Sequence, residues 1–437
     1  MKQVPGGLCA AKGFAAAGLR AGIKPSSPAD KNDLGLLVSE ASCAAAGVFT
    51  TNCVKAAPVL LDMEQLKGGK ARAVIANSSI ANACAPEGDE TARKELALVN
   101  EVLDVPASEV LVSSTGVIGV RLNVEAIEAA LPALAEKLSP TAEGSDAFAK
   151  AIMTTDTVKK EISYEFSVGG KTAHIGGVSK GSGMIHPQMG TMLCYVTTDA
   201  AVSAELLEKA LRDVVGKTFN RISVDGDMST NDTCIVLANG LAENACIAAE
   251  GEDYEVFRTA LYEVCLYLCR LMAKDGEGAT HLMTCRVSGA ADEAKAEVLG
   301  KSVINSSLTK AAIFGADANW GRVLCAMGYS GADFDPETVD IAFASEAGRV
   351  PVCENGRGLD FSEELAKKVL SRIKIFQYAE SLGGVDSLIT YPMKQTHADL
   401  PEEERERRGI NRRFLRLSVG LENADDLIED LKQAFEL

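Results

Sequence analysis

Between Lys160 and Ala200 the chain has few options for folding. Two β-type runs, K-E-I-S-Y-E-F-S-V and T-A-H-I-G-G-V, are joined by G-G-K. Runs rich in β-branched and aromatic residues, broken by glycines, read as consecutive strands. A glycine-rich polar loop follows, K-G-S-G-M-I-H-P-Q-M-G, and at Thr191 it passes straight into the apolar run T-M-L-C-Y-V-T-T. That run has strand character, so a flexible segment leads directly into a buried strand.

Strands and helices mix on both sides of this region. The first 120 residues alternate short apolar strands (L-G-L-L-V-S, A-A-G-V-F-T-T-N, A-R-A-V-I-A-N-S-S) with Gly, Ser and Asn turns. Three-and-four spacing predicts a helix over 122–138, with Pro132 expected to kink it. Further helices are expected near 203–215 and 255–273, with a strand at C-I-V-L-A-N between them. The elements do not alternate strictly as β-α-β, which predicts an α/β fold of the layered α+β kind rather than a doubly wound sheet. At 437 residues, 47% of them hydrophobic, the chain can bury a large core and divides into two or three units.

Charge and cysteine usage exclude several function classes. A net charge of −17 opposes non-specific binding to nucleic acid or to an anionic membrane, so neither is expected as a partner. The 12 cysteines contain no C-x-x-C pair. Cys265 and Cys269, at helical spacing in an apolar run, read as buried reduced thiols. The four histidines form no H-E-x-x-H, and no metal site is expected. With no apolar leader and no long apolar span, a soluble cytoplasmic protein is the expectation.

The Gly190–Thr191 junction admits a specific chemistry. An N→O acyl shift would break this peptide bond and make Thr191 a new N-terminus. Its α-amino group, with a reference pKa of about 7.7–8.0, could then act as base for its own hydroxyl. The plain alternative is a glycine-rich loop entering a strand with an ordinary β-branched first residue, and pattern alone favours it. Similarly, S-S-T-G after E-V-L-V reads as a turn and Lys180 as a solvated loop charge. Asp225, Asn231 and Asp232 in V-D-G-D-M-S-T-N-D-T fit a hydrogen-bonded turn about as well as a site.

A series of longer motifs changes that weighting. G-G-L-C-A-A-K-G-F-A-A-A-G, N-S-S-I-A-N-A-C, S-T-G-V-I-G, I-M-T-T-D-T, V-D-G-D-M-S-T-N-D-T, D-G-E-G-A-T and F-G-A-D-A-N-W-G-R-V occur in this order. Over about residues 5–370 the chain resembles the ornithine acetyltransferase family, bifunctional glutamate N-acetyltransferases and amino-acid acetyltransferases of arginine biosynthesis. The resemblance implies an N-terminal-nucleophile-like, self-processing fold cut between Gly190 and Thr191. Residues 1–190 would form an α-chain-like part carrying the oxyanion site, and 191–370 a β-chain-like part beginning at the nucleophile.

The resemblance implies that Thr191 is the nucleophile and that Thr115 and Gly116 stabilise the oxyanion. Thr154, Lys180, Thr191 and Glu277 match substrate-binding positions. The implied reaction is ping-pong transfer of acetyl from N-acetylornithine to glutamate, with acetyl-CoA as a donor in some members. No cofactor is implied, and cleaved chains of the family assemble as α2β2.

From about residue 371 the character changes. A-E-S-L-G-G-V-D-S-L-I-T-Y-P, T-H-A-D-L-P-E-E-E-R-E-R-R-G-I and F-L-R-L-S-V-G-L-E-N-A-D-D-L-I-E-D-L resemble the C-terminal end of the cystathionine γ-synthase/γ-lyase family of PLP enzymes. A period-2 strand through Leu415, Leu417, Val419 and Leu421 is expected, then a helix capped by Asn423 with Leu427, Ile428, Leu431, Ala434 and Phe435 on its apolar face. In that family the positions matching Ser381 and Arg416 belong to the active site. Here the half that carries the Schiff-base lysine is missing, so those roles are not expected to carry over. The exchanged tail leaves a second reading open, a folded but non-catalytic chimera. A PLP-dependent lyase is favoured by the tail alone.

Overall fold

The computed structural model describes residues 1–186 and 192–370, together with two short strands, Leu388–Thr390 and Arg416–Ser418. Its centre is a nine-stranded sheet: β1 (Lys2–Gln3), β2 (Phe14–Leu19), β3 (Leu34–Phe49), β4 (Lys70–Asn77), β5 (Val110–Ser114), β6 (Lys160–Val168), β7 (Lys171–Lys180), β8 (Leu193–Thr198) and β9 (Thr233–Ala238). The order is β1-β6-β7-β8-β9-β3-β4-β5, with β2 paired to β3. Pairs β8/β9 and β4/β5 are parallel, and the remaining pairs are antiparallel. This is the layered α/β architecture expected.

The glycine pair in the opening motif makes a tight hairpin. Gly169 and Gly170 take φ of +56° and +72°, a left-handed turn that joins β6 to β7 without splaying them.

The two apolar runs at 34–39 and 45–52, read above as separate strands, form one element. β3 is 16 residues long and changes register between Val38 and Cys43. Before the shift it pairs with β2 and β4, and after it with the start of β4 and with β9. A bulge lets one strand bend and serve two halves of a sheet, which an apolar pattern cannot distinguish from two strands.

Period-2 alternation then builds the layers. On β8, Cys194 and Val196 face helices α5 (Ala204–Lys217) and α6 (Glu252–Lys274) through Leu207, Leu211, Phe257 and Leu261. Leu193 and Tyr195 face the opposite way, into a core shared with Phe14, Val74, Leu111 and Phe148. On β4, Ala73 and Ile75 face helices α1 (Ala57–Gln65), α2 (Gly88–Leu103) and α3 (Val124–Glu136). The sheet halves therefore enclose the central core and helices cover their outer faces. Each fully buried large apolar side chain contributes about 1.5–3 kcal/mol. The Phe148–Tyr195 pair, edge-on at 5.2 Å and 84°, adds about 0.5–1.5 kcal/mol.

Helices α3, α5 and α6 agree with their sequence signals, whereas α1 and α2 lie in the stretch read above as strands and turns. Asn123 caps α3, which contains Pro132, and Ser203 caps α5. Cys265 and Cys269 are buried free thiols on α6. No helix among the described residues is long and apolar enough to cross a membrane. Beyond α6 a smaller unit comprises α7 (Glu293–Asn305), α8 (Ser307–Phe314), α9 (Trp320–Gly328), β10 (Ile341–Ser345), β11 (Gly348–Glu354), β12 (Arg357–Gly358) and α10 (Glu363–Leu370). Its own small core is Ala318, Val350, Val352, Ala366 and Leu370. In the tail, Leu417 lies on the expected strand, here Arg416–Ser418 paired antiparallel with Leu388–Thr390. Ser381, Asn423 and the closing helix lie outside the described residues.

Candidate active site

The site assembles where four chain segments leave the sheet. β5 ends at Ser114, and the next residues are Thr115 and Gly116. The Thr115 amide donates to Asn77 O (2.9 Å) and the Val117 amide to Ser79 O (3.1 Å). Gly116 sits between them at φ +124°, and a β-carbon there would lie 2.3 Å from Ser79 O. Only glycine fits this turn. The Gly116 N–H forms no hydrogen bond among the described residues. Gly116→Ala is expected to destabilise the protein by on the order of 1–3 kcal/mol by forcing the turn open. Thermal melts compared with Gly119→Ala, whose added β-carbon meets nothing, check this; equal shifts would show that the close approach does not matter.

Lys180, the last residue of β7, is 8% exposed and donates through Nζ to Thr115 Oγ1 (3.3 Å). Burial pulls its pKa down, and the charges of Asp156, Asp232 and Glu277 partly offset this. Leu193 is its Cα partner across the sheet, so β8 begins beside Lys180. Gly190 and Thr191 themselves lie outside the described residues.

Beneath Lys180 is a buried ionic network that the sequence reading did not single out. Asp156 accepts from Lys160 Nζ (2.6 Å), from the Gly181 amide (2.7 Å) and from the Thr154 amide (3.0 Å). Lys160, 1% exposed, also donates to Asp275 (2.6 Å). Asp275 in turn accepts from the Thr157 hydroxyl and amide. Burial would raise the Asp156 carboxyl, but Lys180 and Lys160 outweigh it and hold it below the usual range. Asp156 and Asp275 both fall within motifs quoted above, I-M-T-T-D-T and D-G-E-G-A-T. The signal that could have found Asp156 is that a strand whose first residue is a lysine, Lys160, must bury a charge if that residue faces inward, and Asp156 lies four residues before it.

Thr154 reaches the site through its backbone: its amide binds Asp156 and its carbonyl accepts from Lys31 (3.2 Å). Glu277 follows α6. Its amide donates to Ser182 O (2.8 Å), and its carboxylate lies against Gly183, 2.6 Å from where a β-carbon would be. It also borders a cavity of about 1380 Å³ lined in part by Arg221, Arg270, Arg286, Lys301 and Lys310. Thr115, Gly116, Lys180 and Glu277 thus gather around one loop, with Thr154 tied in through Asp156.

Two of the loop residues left open above act on the backbone. Asp225 accepts from the amides of Met184, Ile185 (2.9 Å) and Asp227 (3.0 Å), fixing the glycine-rich segment. Asn231 donates to Ala81 O (2.6 Å) and Ser114 O (2.8 Å), tying β9 to the Thr115 turn. Asp232 differs: it is buried, with Thr50, Ser229 and the Met192 backbone beside it.

A hydroxyl that accepts from an ammonium keeps its own proton free to donate outward. Beside the unengaged Gly116 N–H it can stabilise a developing oxyanion. A buried lysine and a nearby carboxylate can bind the two ends of an amino acid.

Comparison with known proteins gives a consistent picture. The ArgJ family pattern matches residues 15–380, and a pattern described as Cys/Met metabolism PLP-dependent enzyme matches 357–436. The arginine biosynthesis bifunctional protein ArgJ of Caldanaerobacter subterraneus subsp. tengcongensis is 50% identical over 385 residues, 88% of this chain and 94% of the relative. The protein of the same name from Bacillus subtilis is 43% identical over 370 residues, 84% of this chain and 88% of the relative. The crystal structure of ornithine acetyltransferase complexed with ornithine from Mycobacterium tuberculosis is 39% identical, covering 43% of this chain and 96% of that chain at a TM-score of 0.38.

Proposed function

The chain belongs to the ArgJ family, and from that premise we propose that it is a self-cleaving acetyltransferase of arginine biosynthesis that moves acetyl from N-acetylornithine to glutamate. The observation that carries this reading is the strand register: β8 enters the sheet opposite Lys180, whose ammonium touches Thr115. A nucleophile just ahead of β8 would then meet donors and a substrate-holding cation already in place.

The Thr191 hydroxyl attacks the Gly190 carbonyl carbon, and the peptide becomes an ester with a free α-amine on Thr191. Water hydrolyses the ester, leaving residues 1–190 and 191–437 as two chains. That amine then takes the proton of the Thr191 hydroxyl as its oxygen attacks the acetyl carbon of N-acetylornithine. Thr115 Oγ1 and the Gly116 N–H donate to the oxyanion. The proton passes to the departing nitrogen, ornithine leaves, and acetyl remains as an ester on Thr191. The glutamate amine attacks the ester carbon, its proton passes by way of the Thr191 amine to the departing Thr191 oxygen, and N-acetylglutamate leaves with the hydroxyl restored. Lys180 pairs with the substrate α-carboxylate, Glu277 accepts from its ammonium, and Thr154 completes the binding wall. Acetyl-CoA could load the same threonine. The cleaved parts stay together because β7 and β8 belong to one sheet, and α2β2 assembly in the cytoplasm follows from the same reading.

A denaturing gel of purified protein, N-terminal sequencing and an ornithine-release assay test this. The expected result is two bands, the larger beginning at Thr191, and ornithine release that requires glutamate. A single band after prolonged incubation would overturn the reading. Two bands without transfer would leave a folded chimera whose exchanged tail has cost it turnover.

A further inference from the structure

The Thr115–Gly116 turn leaves the sheet where a ladder ends. β4 and β5 run parallel, and their last paired residues are Asn77 and Ser114. Beyond them two buried side-chain amides take over from the ladder. Asn77, with no exposed surface, donates through Nδ2 to Ser114 Oγ (2.8 Å), and its Oδ1 accepts from the Ser79 and Ile80 amides (3.1 Å each). Its backbone carbonyl takes the Thr115 amide (2.9 Å). Asn231 is equally enclosed and holds Ser114 by its carbonyl (2.8 Å), with Ala81 O on the same Nδ2 (2.6 Å). Its own Oδ1 accepts from the Thr230 hydroxyl (2.6 Å), which fixes the amide's orientation. Ser79, whose carbonyl would meet a β-carbon on Gly116, is held a second time by its hydroxyl, which donates to the buried Asp33 (3.3 Å). Backbone groups leaving a ladder need partners, and a local turn or water could supply them. Two buried amides converging on one serine also fix where the next two residues point.

We propose that Asn77 and Asn231 are positioning residues for acetyl transfer, a clamp on Ser114 that sets the direction of the Thr115 hydroxyl and the Gly116 N–H. This rests on the proposed oxyanion role of those two donors. Donors aimed at a developing charge work only when held in place beforehand, and a displacement of about 1 Å costs on the order of 100-fold in rate. The clamp also refers the turn to the centre of the sheet. Asn231 lies two residues before β9, which runs parallel to β8, while Asn77 ends β4 on the far side of β3. One serine therefore takes its position from both halves of the sheet.

Steady-state acetyl transfer by the full chain, counted per cleaved molecule, tests the clamp. Asn231→Ala should lower kcat by about 10- to 100-fold and leave KM for N-acetylornithine within about threefold, since the donors act on the transition state. Ser114→Ala removes only the hydroxyl that Asn77 holds and keeps the turn's backbone, and kcat should fall in the same way by about three- to tenfold. It decides the matter by itself if Asn231→Ala does not fold. A double-mutant cycle separates positioning from general damage. In a Thr115→Ala background one donor is already gone, so each substitution should cost several-fold less than in the wild type. The same factor in both backgrounds, a raised KM with kcat unchanged, or a folded variant that stays uncut would overturn the role of the two asparagines. Thr115→Ala that transfers acetyl at the wild-type rate would instead remove the oxyanion assignment beneath the inference.

Discussion

Thr191→Ala is expected to run as one uncut chain and to lose acetyl transfer by at least about 1000-fold. Removing the hydroxyl removes both the attack on the Gly190 carbonyl and the acceptor of the acetyl group, so two unrelated readouts fail together. Thr191→Ser should keep both, because the chemistry needs a hydroxyl on a residue that becomes an N-terminus. Uncut protein that still transfers acetyl would assign the nucleophile elsewhere. Uncut protein is expected to keep its fold, since β8 begins at Leu193 and pairs with β7 and β9 through residues on either side of the cut.

The second large effect is on stability and lies at Lys160. Its ammonium, with no exposed side-chain surface, sits 2.6 Å from both Asp156 and Asp275. Lys160→Met keeps most of the stem volume but leaves two buried carboxylates facing each other. Breaking a buried pair in this way costs roughly 3–5 kcal/mol. Asp156, held below its ordinary range, contributes stability above the unfolded carboxylate pKa of about 3.9 and loses it as pH falls through its lower folded value. The deficit of Lys160→Met should therefore be larger at pH 7 than near pH 4, because the orphaned acids, their pKa raised by burial and by each other, take up protons as pH falls. Urea unfolding at both pH values measures it, and a deficit independent of pH would mean that lost packing, not charge, dominates. Thr154 and Gly181 hang from the same Asp156, so acetyl transfer should fall along with stability.

Much of the framework was legible in advance. Period-2 runs located β6, β7, β8 and β9, and three-and-four spacing located α3, α5 and α6, because side-chain alternation is a local property that burial imprints directly on sequence. The motif series identified the family, and with it Thr115, Lys180 and Glu277 as neighbours. Asp225 and Asn231 could not be placed by pattern, since a hydrogen-bonding loop residue looks alike whether it holds backbone or substrate.

Sequence alone determined the family, the strands β6 to β9 and the helices α3, α5 and α6, and that the core is large, while α1 and α2 fell in a stretch read as strands and turns. Tertiary structure alone decided which charges are buried. Glu95, a charged residue in A-R-K-E-L, is fully enclosed on α2 with neither carboxylate oxygen bonded to a described residue, and burial pushes it well above its ordinary range. Lys160 meets Asp275 across 115 positions of sequence, and Asn231 meets Ser114 across 117. The physical reason is range: hydrophobic periodicity is set within a few residues, whereas the worth of a charge depends on neighbours and water exclusion that exist only once distant strands have paired.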